Sequence, residues 1–124
     1  MKDRTQFAIQ QTHGMPLVEV SGEVDLTNVE QLEQKLEQAA RADCGVVIVS
    51  LRDATYFDSS TIHVLLRFAE RLSVNRQRLL LVAPAGGSPA KILSIAGISD
   101  ALPMFESVEK ATAAGREANG SPAT

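Results

Sequence analysis

Cysteine occurs once in the 124 residues, at Cys44, so no disulfide can close within the chain and no multi-cysteine metal cluster can be built from it. A reducing compartment is the expectation. Tryptophan is absent and tyrosine occurs once. With only four phenylalanines beside it, the chain has no aromatic platform for stacking single-stranded bases. Basic residues are scattered, with no Lys/Arg cluster, and the formal net charge is -3. Such a surface lacks the positive footprint that a phosphate backbone requires, which excludes nucleic acid as the expected partner. Long apolar runs are missing too. Val46–Val49 and Leu79–Ala83 fall far below the roughly 20 residues of a membrane span. The start, Met1-Lys2-Asp3-Arg4-Thr5-Gln6, is too polar for a signal peptide. These absences predict a cytoplasmic protein without membrane insertion. Only His13 and His63 could offer imidazole, neither with metal-ligand spacing, and no motif asks for a cofactor.

What is present is the balance of one globular domain: 44% hydrophobic and 22% charged residues, with no internal repeat and no linker. Phe7 and Ile9 alternate with polar neighbours, His13-Gly14 marks a turn, and Leu17, Val18 and Val20 resume an extended pattern as far as Gly22, which predicts an antiparallel pair of strands. Thr27-Asn28-Val29-Glu30 has capping-box spacing, followed by Val29, Leu32, Leu36 and Ala39/Ala40 on one helical stripe. Val46-Val47-Ile48-Val49, continued by Ser50-Leu51, predicts a central strand covered on both faces. After a loop, Ile62, Leu65, Leu66, Ala69 and Leu72 predict a second helix ending near Asn75. Leu79–Ala83 predicts another buried strand. Ser88-Pro89 then opens a third helix carrying Ile92, Leu93 and Ala96, which Gly97 can close. A short extended segment from Leu102 to Phe105 precedes Ser107, which can cap a last helix with Val108 and Ala111. Gly115 to Thr124 carries almost no apolar mass and is expected to fray.

This order predicts an α/β fold: a mostly parallel central sheet of about five strands, antiparallel at the N-terminal strand, with about four helices packed on it. Loops leaving the carboxyl ends of strands collect function in such folds, and Tyr56 to Thr61 is one of them. By itself, Asp58-Ser59-Ser60 before an amphipathic helix is an ordinary N-cap. It also suits a phosphoacceptor, because a phosphate at a helix N-terminus meets the positive end of the dipole. Ser59, His63 and Asp58 do not make a convincing nucleophile, base and acid, because no nucleophile-elbow sequence or oxyanion hole accompanies them. Gly86-Gly87-Ser88 lacks the lysine and glycine spacing of a phosphate loop and suits a plain turn and cap. Glu30, Glu33 and Glu37 form an acidic strip, most simply a solvated face; a basic partner could use Glu33.

The stretch from Val46 to Leu66, with Tyr56-Phe57-Asp58-Ser59-Ser60 opening its helix, resembles the STAS domain of bacterial anti-sigma factor antagonists. Gly22-Glu23-Val24-Asp25 is similar as well. So are Ser88-Pro89 through Ile92-Leu93, Gly97-Ile98, and Leu102 to Phe105. The resemblance implies a STAS domain over residues 1–113 and a disordered tail over 114–124. It also implies a non-enzymatic switch in which the serine directly after the aspartate, here Ser59, is phosphorylated by a partner kinase that is itself the anti-sigma factor. The unphosphorylated protein, a monomer when free, binds that partner and releases a sigma factor; a separate serine phosphatase resets it. Carried over, Asp58, Ser60 and Thr61 belong to the partner-facing site, with Asp25 in the neighbouring loop.

One departure is Thr61, where the family usually has glycine, followed by Ile62 where leucine is common. A β-branched side chain there is expected to stand where a partner backbone approaches. That departure brings a second implication nearer: single-domain STAS proteins also serve as cytoplasmic subunits of membrane lipid transporters, with no phosphorylation cycle.

Overall fold

The structure, a computed structural model, describes residues 5–42, 44–95, 97–98 and 102–119, with side chains to residue 116. Strand β1 (Gln6–Thr12) turns into β2 (Met15–Val24) through His13 and Gly14, whose φ angles are 51° and 80°. Two successive positive φ values make the tight hairpin turn whose twist matches the strands, and Thr12 pairs directly with Met15. Helix α1 (Val29–Ala40), β3 (Val46–Phe57), α2 (Ser59–Val74), β4 (Arg78–Val82), α3 (Ser88–Ile95), β5 (Met104–Phe105) and α4 (Val108–Asn119) complete the chain order. The sheet order is β1-β2-β3-β4-β5, antiparallel between β1 and β2 and parallel elsewhere, with β3 central as predicted.

Apolar residues of the inner strands feed two cores in strict alternation. Val47 and Val49 of β3, with Leu79 and Leu81 of β4, face the core beneath α1, α2 and α3. Val46 and Ile48, with Leu80 and Val82, face the smaller core that α4 closes with Ala111. Strands covered on both faces need β-branched and aliphatic residues at every position, which is why these runs carry no polar alternation. On α1, Val29, Leu32, Leu36 and Ala39 are buried. Leu32 and Leu36, fully enclosed, each contribute roughly 1.5–3 kcal/mol of burial.

Four expectations are corrected. The segment after Leu51 is not a loop: β3 continues to Phe57, and its burial shifts from every residue to every third, at Leu51, Ala54 and Phe57. Register shifts against β2 between Glu19 and Ser21 and between Gly22 and Glu23 cause this, because each extra residue rotates the strand and re-aims the side chains beyond it. Gly22, at φ 86°, supplies one of the bends. The capping box does not form either. Asn28 occupies the N-cap of α1 without a side-chain cap bond, while the Thr27 hydroxyl donates to Asp25 Oδ1.

Third, the stripe on α2 is centred on Thr61, Val64, Leu65, Phe68 and Leu72, leaving Ile62, Leu66 and Ala69 half-buried. Fourth, α4 does not fray at Gly115 but runs to Asn119, capped at its start by Ser107 Oγ, which accepts from Lys110 N–H at 3.1 Å. Gly115 is buried, and a Cβ there would lie 2.8 Å from Met15 Sδ. The glycine lets the helix settle on the sheet. Residues 120–124 of the expected tail, and Ala96, lie outside the described residues.

Candidate functional site

β2 and β3 are parallel neighbours that end side by side, Val24 opposite Phe57, so the turns leaving their carboxyl ends share one rim of the sheet. The Asp58 N–H donates to Val24 O at 3.3 Å, joining the two turns. Fully buried Phe57 and Val24 anchor the rim from below.

Asp58 is the N-cap of α2, in extended backbone conformation. Its Oδ1 accepts from Ser60 N–H at 3.0 Å, from Thr61 N–H at 3.4 Å and from the Ser60 hydroxyl. One carboxylate oxygen therefore satisfies two of the orphan donors of the helix start. The consequence for the two serines is opposite. Ser60 is half-buried with its hydroxyl committed to Asp58. Ser59, the first helical residue, is exposed, and its hydroxyl has no hydrogen-bond partner among the described residues.

Thr61 is corrected outright. Its side chain is fully buried, and Oγ1 is the one buried side-chain polar atom without a partner among the described residues. It points into the core and leaves the approach to the rim open.

Asp25, in the neighbouring turn, repeats the same geometry. Its Oδ1 accepts from Thr27 N–H at 2.9 Å and from the Thr27 hydroxyl, while Asn28 Oδ1 accepts from Asp25 N–H at 3.0 Å. The Thr27 hydroxyl, and then its amide, hold the Asp25 carboxyl below the ordinary carboxylate range by favouring the charged form. The residue after the aspartate is again thrown outward: Leu26 is 76% exposed.

An open groove between α1 and α2 joins the pieces. Its walls include Leu26 and Glu33 on one side, and Asp58, Ser59, His63 and Arg67 on the other. The structure thus brings Asp58, Ser59, Ser60 and Glu33 together and leaves Thr61 behind them. Glu33 and Glu37 are not a bare strip: Arg67 reaches Glu33 at 3.4 Å and Arg71 reaches Glu37 at 3.0 Å. Leu26 and Arg67 are groove residues that sequence reasoning passed over, and His63 entered it only as a candidate base or metal ligand. A leucine inside an otherwise polar turn was the available signal for the first. No sequence signal places the other two opposite Glu33.

A family model described as STAS domain matches residues 6–111. No curated protein sequence matches the chain significantly. Among solved structures, an anti-sigma factor antagonist from Mycobacterium paratuberculosis superposes with a TM-score of 0.82 at 19% identity, over 91% of this chain and 95% of that one. The Bacillus cell fate determinant SpoIIAA in its phosphorylated form gives 0.64 at 21% identity, over 86% and 96%. A sulfate transporter family protein from Wolinella succinogenes gives 0.68 at 20% identity, over 86% and 88%. Likenesses at this identity concern the fold. No helix of the described residues is long and apolar enough to cross a membrane.

Proposed function

We propose a function from one premise: this chain belongs to the STAS domain family. It acts as an anti-sigma factor antagonist, a binding protein and not an enzyme, working in the cytoplasm. Unphosphorylated, it docks the rim formed by Leu26, Asp58 and Ser59 on an anti-sigma factor with serine kinase activity and so releases a sigma factor. The kinase then modifies Ser59. In that step the Ser59 oxygen forms a bond to the γ-phosphorus of ATP, the bond to ADP breaks, and the hydroxyl proton passes to the kinase. A serine phosphatase reverses the change by hydrolysis.

The observation that carries this reading is the contrast between adjacent hydroxyls: Ser60 is tied to Asp58, while Ser59 stands exposed and unbonded at the first position of α2. A phosphate there adds about -1.5 to -2 charges. The helix end favours each charge by about 0.3–1 kcal/mol, so the free domain tolerates it. A covering partner would have to desolvate the same dianion beside Asp58, which costs several kcal/mol and releases the complex. The test is incubation with the cognate kinase and ATP, read by intact mass. Wild type should gain one phosphate and Ser59→Ala none; a phosphate on Ser59→Ala overturns the assignment.

A transporter subunit is the second reading, favoured by the fold likeness to the sulfate transporter family protein. Thr61, which brought that reading nearer, is buried and obstructs nothing. Copurification separates the two: a soluble kinase-like ATPase supports the first, a transporter ATPase the second.

A further inference from the structure

Ser59, His63 and Arg67 succeed one another at four-residue spacing on α2, which stacks them along one side of the helix. All three are exposed, and all line the same groove of about 450 Å³, ample for a phosphoryl group. Helical side chains lean toward the N-terminus, so the imidazole and the guanidinium both incline toward Ser59. His63 sits about 6 Å further along the axis and Arg67 about 12 Å, the longer side chain serving the longer step. The acidic groups sharing the groove are Asp58 at its end and Glu33 across it on α1.

Arg67 is available to move. Its bond to Glu33 is 3.4 Å long, and the two side chains are 64% and 38% exposed. A charge-assisted bond at full strength is nearer 2.7–2.9 Å, and exposed pairs contribute little. The companion pair Arg71–Glu37, at 3.0 Å, still ties α1 to α2 one turn further on.

We propose that a phosphoryl group on Ser59 is clamped by His63 and Arg67, and that Arg67 exchanges Glu33 for it. This rests on the reading of Ser59 as the phosphoacceptor. The clamped phosphate lies in the groove that Leu26 and Val64 also line. Phosphorylation then fills the groove against the partner as well as adding charge, and it uncovers the Glu33 carboxylate. Phosphate oxygens suit this arrangement because the planar guanidinium binds them in a fork, and the imidazole supplies a further donor.

The experiment uses full-length protein with phosphoserine installed at position 59 during translation, so that no kinase is needed. The second ionisation of the phosphate is monitored by ³¹P NMR. A nearby cation favours the dianion, so the midpoint in wild type should lie below that of His63→Gln and of Arg67→Gln, by about 0.5 unit or more in each case. Glu33→Gln frees Arg67 and should lower it further. A midpoint common to all four proteins overturns the clamp. A Glu33→Gln midpoint equal to wild type overturns the exchange. Either failure leaves the Ser59 assignment standing, because that assignment is decided by the kinase reaction and not by this titration.

Discussion

Two turns stand side by side on the rim, Asp25-Leu26-Thr27 and Asp58-Ser59-Ser60, and they are built alike. In each, one aspartate oxygen accepts from the amide and the hydroxyl of the residue two positions on, and the residue between is exposed. They differ in what they hold and what they show. Asp58 begins α2 at once and caps it. Asp25 closes a turn, and α1 starts only after Asn28. The Asp58 turn shows a hydroxyl, the Asp25 turn a leucine. The same local chemistry thus presents a group that can be modified beside an apolar group that a partner can bury, and the pairing of β2 with β3 sets them on one surface.

The strongest way to break this comparison is to alter the two displayed residues. Ser59→Glu should weaken the anti-sigma partner's affinity about a hundredfold or more, as a charge buried without a counterion costs about 3–5 kcal/mol. Leu26→Ala should weaken it about tenfold or more by removing a buried leucine. Calorimetric titration measures both; wild-type affinity for Leu26→Ala separates the two turns into different surfaces.

Next come the two aspartates, compared by urea unfolding. Asp58→Ala should cost about 1–2 kcal/mol as a lost helix cap, and Asp25→Ala about half of that or less, since no helix donor depends on its carboxylate. Equal losses contradict the difference in roles.

Thr61→Val should stabilise the domain by about 1 kcal/mol, because it removes a buried hydroxyl that has no partner and keeps the shape. Partner affinity should stay unchanged; a loss of affinity returns Thr61 to the interface.

The smallest effect is in pH. The Asp25 carboxyl titrates below its ordinary range in the folded protein, so the charged form stabilises the fold. That contribution is complete above the unfolded value near about 4 and fades as pH falls through the folded value. Wild type should therefore exceed Asp25→Asn in thermal stability by a constant margin at neutral pH that shrinks on acidification below about pH 4. A margin that grows on acidification reverses the sign of the shift.

Much of the fold was legible because local pattern and final environment agree. The β-branched runs of β3 and β4 sit between two cores, as their lack of alternation implies, and the apolar stripe of α1 is the buried one. The second half of β3 was hidden because, past the bulges against β2, the continuous apolar run gives way to burial at every third residue only, Leu51, Ala54 and Phe57. Thr27 and Glu30 have the spacing of a capping box, but Asp25, two residues before Thr27, takes its hydroxyl first. On α2 two adjacent stripes are both apolar enough to be buried, and only packing chose the one that turns Thr61 inward. Gly115 lacks apolar mass, and its burial comes from close approach to Met15, which composition does not register.

The sequence by itself determined the helices, the aspartate turns and the strands apart from the second half of β3, because each depends on hydrogen bonds and side-chain shapes within a few neighbouring residues. Tertiary structure alone decided that the Asp25 and Asp58 turns share a rim. It also set His63 and Arg67 across a groove from Glu33. Register, helix phase and groove geometry depend on which surfaces pack together, and packing is a property of the whole chain.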